Sequence, residues 1–98
     1  MAERRGETFV MQGETASGPI SFSTFILGLA STTLIHLGEA PDPESGSRAV
    51  SLELARQSLE LLDLLERKTK GNLTQEEQRL FMSLLTDLRL KFVAQSRK

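Results

Sequence analysis

The chain of 98 residues contains no cysteine, no tryptophan and no tyrosine. Without cysteine it forms no disulfide and no thiolate zinc site. The same absence fits a cytosolic protein, so we expect a cytoplasmic location. Basic side chains number 12 and acidic ones 13, for a net charge of −1. Because binding to nucleic acid requires a basic excess, we expect no nucleic-acid partner.

The chain is also short, which limits the hydrophobic core that it can form. A chain of 98 residues forms one domain. Such a domain buries only about two thirds of the surface of its unfolded chain, which makes a lone core marginal. With no disulfide available, self-association is one way to supply the missing stabilisation.

Charge is absent from one long stretch, "SFSTFILGLASTTLIHLG", which runs from Ser21 to Gly38. Its apolar content predicts a first helix over about 22–37. Ser21 is suited to cap the amino end, since its hydroxyl accepts from a free backbone N–H. Gly38 is suited to end the helix, since glycine adopts the left-handed conformation at low cost.

Two further helices are predicted, over about 52–70 and 75–94. Apolar residues in both recur with the helical period. Thr74 and Glu77 have the spacing of a capping box at the start of the third helix. The sequence therefore predicts an all-α fold, a small bundle of three helices in a single domain over residues 20–98. Residues 1–19 lack any period and are predicted to be a mobile tail.

Helical wheels predict which faces are buried. In helix two the apolar side spans about half the wheel, wider than one stripe, and comprises Leu54, Ala55, Leu59, Leu61, Leu62 and Leu65. In helix three the stripe is narrower and comprises Leu80, Phe81, Leu84, Leu85, Leu88 and Phe92.

Helix one differs because no charge interrupts its wheel. Its bulky side comprises Phe22, Phe25, Ile26, Leu29, Leu34 and Leu37. Its small-residue side comprises Thr24, Gly28, Ser31 and Thr32, with Ile35 among them. A helix without charge all round is normally buried all round, and two amphipathic helices do not easily surround a third. We therefore expect the small-residue side to be a self-association face, in a homodimer or a higher assembly with twofold symmetry as the default.

The segment after helix one is a candidate surface for another protein. Pro41 and Pro43 cannot continue a helix and restrict the residues before them. A loop held in a defined shape beside the core is where binding residues commonly lie. The candidate loop residues are Glu39, Pro41, Asp42, Pro43 and Glu44.

Three alternatives use the same region differently. Residues 20–37 are just long enough to span a bilayer, or to enter it as a hairpin, although the serines and threonines among them argue against it. Acidic residues interrupt the basic amino terminus, which argues against a cleaved signal peptide. His36, with Glu39 and Asp42, is conceivable as the centre of a metal site or small enzyme.

No motif supports catalysis, since the sequence lacks HExxH, GxSxG and a phosphate-binding loop. We expect no catalytic residue, no cofactor and no bound metal. The sequence favours a non-catalytic interaction or scaffold module.

The stretches "FILGLASTTLIHLGEAPDPESG" and "KTKGNLTQEE" resemble a bacterial family of short proteins known as a domain of unknown function, number eighteen forty-four. The resemblance covers Phe22 to about Val93. It implies a bacterial source and a stand-alone helical domain. It implies no activity and supplies no catalytic residue to transfer to this chain.

Overall fold

A computed structural model describes residues 20–98, and these residues form three helices. They are α1, Phe22–His36, α2, Leu52–Lys68, and α3, Gln75–Ser96. The all-α fold with three helices is confirmed, and each predicted boundary lies within two residues of the observed one. The predicted tail lies outside the described residues.

Each helix begins at a side-chain cap. The hydroxyl of Ser21 accepts from the backbone N–H of Thr24 at 3.0 Å. Ser51 caps α2 in the same way. Thr74 and Glu77 form both hydrogen bonds of the predicted capping box at the start of α3. These contacts satisfy backbone donors that have no partner inside a helix.

α1 and α3 run in the same direction. Toward their amino ends, the rings of Phe22 and Phe81 pack with centroids 5.7 Å apart. At the other end, Nε2 of Gln95 donates to the backbone carbonyl of Leu37 at 2.9 Å. α2 runs in the opposite direction, because it starts beside the end of α1 and the short turn 69–74 joins it to the start of α3.

The core lies where the three helices meet. Its buried members are Ile26, Ala30, Thr33, Leu37, Ala55, Leu59, Leu62, Phe81, Leu85 and Leu88. Thr33 is the one polar side chain in this set, and its hydroxyl donates to the backbone carbonyl of Leu29 at 2.9 Å. The buried hydroxyl therefore has the partner that burial of a polar group requires.

The wheels misplace three large side chains. Phe25, Leu54 and Leu61 were predicted on bulky or apolar sides, yet they are 47%, 46% and 44% exposed. The reason is that each helix touches its neighbours over a narrower arc than its apolar side occupies. Part of the apolar surface of α1 and of α2 consequently faces outward.

The loop between α1 and α2 begins and ends beside the last residues of α1. Gly38 has a φ of 77°, as expected for a glycine that ends a helix. The backbone N–H of Ser51 donates to the carbonyl of His36 at 2.8 Å. Leu37 and Val50 form an isolated antiparallel bridge. The loop between them is therefore closed at its base and held against the end of α1.

Candidate docking surface

The outward side of α1 is a continuous surface without charge. We call it the open α1 surface, and it comprises Thr24, Phe25, Leu27, Gly28, Ser31, Thr32 and the half-buried Ile35. At about 100° per residue these side chains occupy a single arc of the helix, opposite the buried Ile26, Ala30 and Thr33. All five residues of the predicted self-association face lie on this surface.

Two hydroxyl groups on this surface, those of Thr24 and Thr32, have partners within the chain. Thr24 and Ser21 are joined by a hydroxyl–hydroxyl hydrogen bond of 2.9 Å. Thr32 donates to the backbone carbonyl of Gly28 at 3.2 Å. Because these polar atoms are satisfied locally, covering them would cost less than covering unpaired hydroxyls.

Leucines of α2 extend the open α1 surface. Leu54 lies beside Ile35, since both line one pocket at the end of α1. Leu61 is two turns further along α2 on the same side of that helix, and Leu65 follows one turn later. The apolar area open to solvent therefore spans two adjacent helices, which is more than isolated exposed leucines present.

The pocket has a volume of about 250 Å³ and lies between the end of α1, the loop and the start of α2. Ile35, Ala49 and Leu54 supply its apolar wall. Its polar side is formed by His36, Asp42, Ser45, Ser47 and Ser51. The pocket thus opens at one end of the open α1 surface.

Asp42 gives the loop its shape. Its carboxylate accepts from the backbone N–H of Glu44, and its carbonyl accepts from Gly46 N–H at 2.7 Å. Its own N–H donates to the carbonyl of Ser47 at 2.8 Å. Of the predicted partner loop, Asp42 is therefore half-buried and used internally. The other predicted members are exposed: Glu39, Pro41, Pro43 and Glu44.

The loop adds negative charge near the end of α3. Lys91 donates to Asp87 at 2.9 Å, and this hydrogen bond raises the pKa of Lys91. The charge of Glu39 adds to that rise in pKa. Glu39 therefore acts electrostatically on Lys91 of α3.

The residues proposed for a metal or enzyme centre are only partly brought together. His36 and Asp42 both line the pocket, whereas Glu39 does not. Within residues 20–98 no group of three or more His, Asp or Glu side chains is arranged to hold a metal ion. Among the helices of that part of the chain, none is both long and apolar enough to cross a membrane.

Sequence reasoning missed four residues of the surface: Phe25, Leu27, Leu54 and Leu61. The signal that could have found the last two was the width of the apolar side of helix two, which spans about half the wheel and so extends beyond the arc that α1 and α3 cover. Leu27 lies next to Ser31 on the wheel, at one edge of the small-residue side. Phe25 is at its edge, so only the packing of α2 and α3 decides its exposure.

Neither a curated protein nor a solved structure matches the chain. One family model matches it over residues 19–94, which is most of its length. The matched range takes in all of α1 and α2 and nearly all of α3, together with the loop and the pocket. The chain belongs to the family described as domain of unknown function DUF1844.

Proposed function

We propose that this protein is a non-catalytic interaction module that assembles with a second copy of itself through the open α1 surface. The observation that carries the proposal is a helix of 15 residues with no charged side chain, six of whose residues are exposed. An exposed helix side is normally polar and charged. A side that lacks charge and faces outward is suited to burial against another chain.

Gly28 supports the same proposal. It lies in the middle of α1, where glycine costs about 1 kcal/mol of helix stability relative to alanine. A Cβ added to Gly28 would meet no atom of the chain within 4 Å. Since nothing inside residues 20–98 requires a glycine there, a close approach by a second helix is a physical reason for one.

A stable dimer needs a larger contact area than α1 alone provides. A helix of 15 residues is about 22 Å long and about 11 Å wide, so one side of it presents only a few hundred Å². A standard interface buries about 800 Å² on each partner. Leu54, Leu61 and Leu65 of α2 adjoin the open α1 surface and supply further apolar area in the same direction.

The exposed part of the loop is the proposed contact for another protein. Glu39 and Glu44 carry its negative charge, and Pro41 and Pro43 stiffen it. Asp42 is assigned a shaping role, because its polar atoms are used within the loop. A dimer that forms through α1 would carry two such loops.

Solution mass tests the proposal. The full-length protein is measured by light scattering after size exclusion, without detergent, over a range of concentrations. We expect a dimer or a larger closed assembly for the wild type. Gly28→Leu should shift the population to monomer, because the added side chain has room within one chain but blocks close approach of a second. Ala94→Leu adds similar bulk to an exposed position of α3 and should leave the mass unchanged.

A monomeric wild type at every concentration would refute the proposal. Aggregation that only detergent relieves would favour membrane association. Metal analysis of the protein, with His36→Ala as comparison, addresses the alternative of a metal centre. Metal that co-purifies with the wild type and is lost from the variant would favour that alternative.

A further inference from the structure

We infer that the two copies pack with α1 antiparallel to α1 of the partner, so that Phe25 of each copy fills the pocket of the other. This inference rests on the proposed self-association and adds its geometry. The occupant of the pocket is thus a phenyl ring from a second copy of this chain.

Phe25 is an exposed aromatic residue near the start of α1. It is 47% exposed, whereas the neighbouring Phe22 packs against the core. Phe25 and His36 are eleven residues apart, which brings them within about 20° of each other around the helix. His36 lines the pocket. Phe25 and the pocket therefore lie on the same side of α1, at opposite ends.

The positions of Phe25 and Ile35 along α1 fit a twofold axis. Phe25 and Ile35 are placed evenly about Ala30, and ten residues separate them by about 15 Å along the helix. A twofold axis that is perpendicular to α1 and passes the level of Ala30 exchanges the two ends of the helix. Rotation about this axis places the two α2 helices on the same side of the α1 pair. Phe25 of one copy then arrives at Ile35 and the pocket of the other.

The pocket has room for a phenyl ring. A volume of about 150 Å³ holds benzene, and this open pocket measures about 250 Å³. Ile35, Ala49 and Leu54 give the ring an apolar wall. A bulky aromatic anchor seated in a pocket, surrounded by smaller contacts, is the usual form of an energetically dominant contact.

The same axis also places the exposed leucines of α2 in the interface between the two copies. α2 runs opposite to α1, and Leu54 lies at the level of Ile35. Leu61 is seven residues further, at about the level of Gly28 and so near the axis. Leu61 would therefore lie close to its counterpart in the partner. One twofold rotation therefore covers both the pocket and the exposed leucines of α2.

Engineered cysteines test this geometry, and the chain has no native cysteine to interfere. Ser31→Cys lies close to the axis and should form a disulfide with itself across the dimer. Phe25→Cys alone should not, because the two copies of that residue would be about 15 Å apart along the helix and a disulfide needs Cα atoms within about 7 Å. A mixture of Phe25→Cys and Leu54→Cys should give the mixed disulfide.

Leu90→Cys is the matched control, since Leu90 is an exposed leucine of α3 away from this surface, and it should not cross-link. Helical circular dichroism shows that each variant is folded. Phe25→Ala should weaken dimerisation at least about tenfold, as expected on loss of a dominant contact.

The outcomes separate the inference from the proposed function. Self-cross-linking of Phe25→Cys in a dimeric protein would show a parallel arrangement, which overturns this geometry and leaves self-association intact. A dimer in which neither Ser31→Cys nor the mixture cross-links would also overturn it. A wild type that stays monomeric overturns both.

Discussion

The side chain of Gln95 donates a hydrogen bond of 2.9 Å to the backbone carbonyl of Leu37, which joins the last turn of α3 to the end of α1. The two residues are 58 positions apart in the chain. Leu37 is fully buried and also pairs with Val50. One contact thus holds the end of α3 against the base of the loop.

Replacement of Gln95 by alanine should lower the free energy of unfolding by about 1 kcal/mol, because a partly buried carbonyl loses its donor. Urea denaturation at one fixed protein concentration measures the change. Gln57→Ala, at an exposed position of α2, is the control and should be close to neutral. Equal effects of the two substitutions would mean that the Gln95 contact contributes nothing specific.

Gly38 and Gly46 offer a way to separate backbone strain from a steric clash. Both have a positive φ, 77° and 72°. A Cβ on Gly38 would lie 2.8 Å from a methyl carbon of Val50, whereas a Cβ on Gly46 would meet nothing within 4 Å.

Gly46→Ala should therefore cost only the conformational strain of the left-handed region, about 1 kcal/mol. Gly38→Ala should cost that amount plus the displacement of Val50, and so should be the more destabilising of the two. Thermal and urea unfolding of both variants give the comparison. If Gly46→Ala were the worse of the pair, the packing of Val50 over Gly38 would be in error.

Features that depend on neighbouring residues in the chain were predictable from the sequence. Ser21, Thr74 and Gly38 act on backbone groups within three or four residues of themselves, so their roles follow from spacing alone. The three helices and their ends were predicted for this reason.

Features that depend on tertiary packing were not predictable in the same way. The exposure of Phe25 is decided by which arc of α1 the neighbouring helices cover, and no local pattern encodes that arc. Arg67 follows Asp63 by four residues, the spacing of an ion pair within a helix. In the structure Asp63 instead pairs with Arg89 of α3, which is 26 residues away.

The capping box of α3 gives a prediction about a local contact. Thr74→Ala removes the acceptor for the N–H of Glu77, which lies 3.1 Å from the hydroxyl. We expect a loss of about 1 kcal/mol in the free energy of unfolding. Thr74→Ser keeps the hydroxyl and should recover most of the stability. Failure of serine to do so would assign the effect to the methyl group of threonine and not to the cap.

Leu61 tests whether the apolar surface of α2 serves assembly or only its own chain. Leu61 is 44% exposed, so Leu61→Lys should change the stability of the isolated chain by only about 0.5 kcal/mol. In the proposed dimer the new charge would be buried near a second copy of itself, where burial and like-charge repulsion both oppose association. Sedimentation equilibrium should therefore show strong weakening of the dimer, while urea unfolding at low concentration shows little change.

Leu90→Lys is the matched control, because Leu90 is an even more exposed leucine on α3. It should leave both measurements unchanged. Dissociation caused by Leu90→Lys but not by Leu61→Lys would move the interface to the outer side of α3. An effect of Leu61→Lys on unfolding of the monomer as large as its effect on association would mean that Leu61 stabilises its own chain, which would remove α2 from the interface.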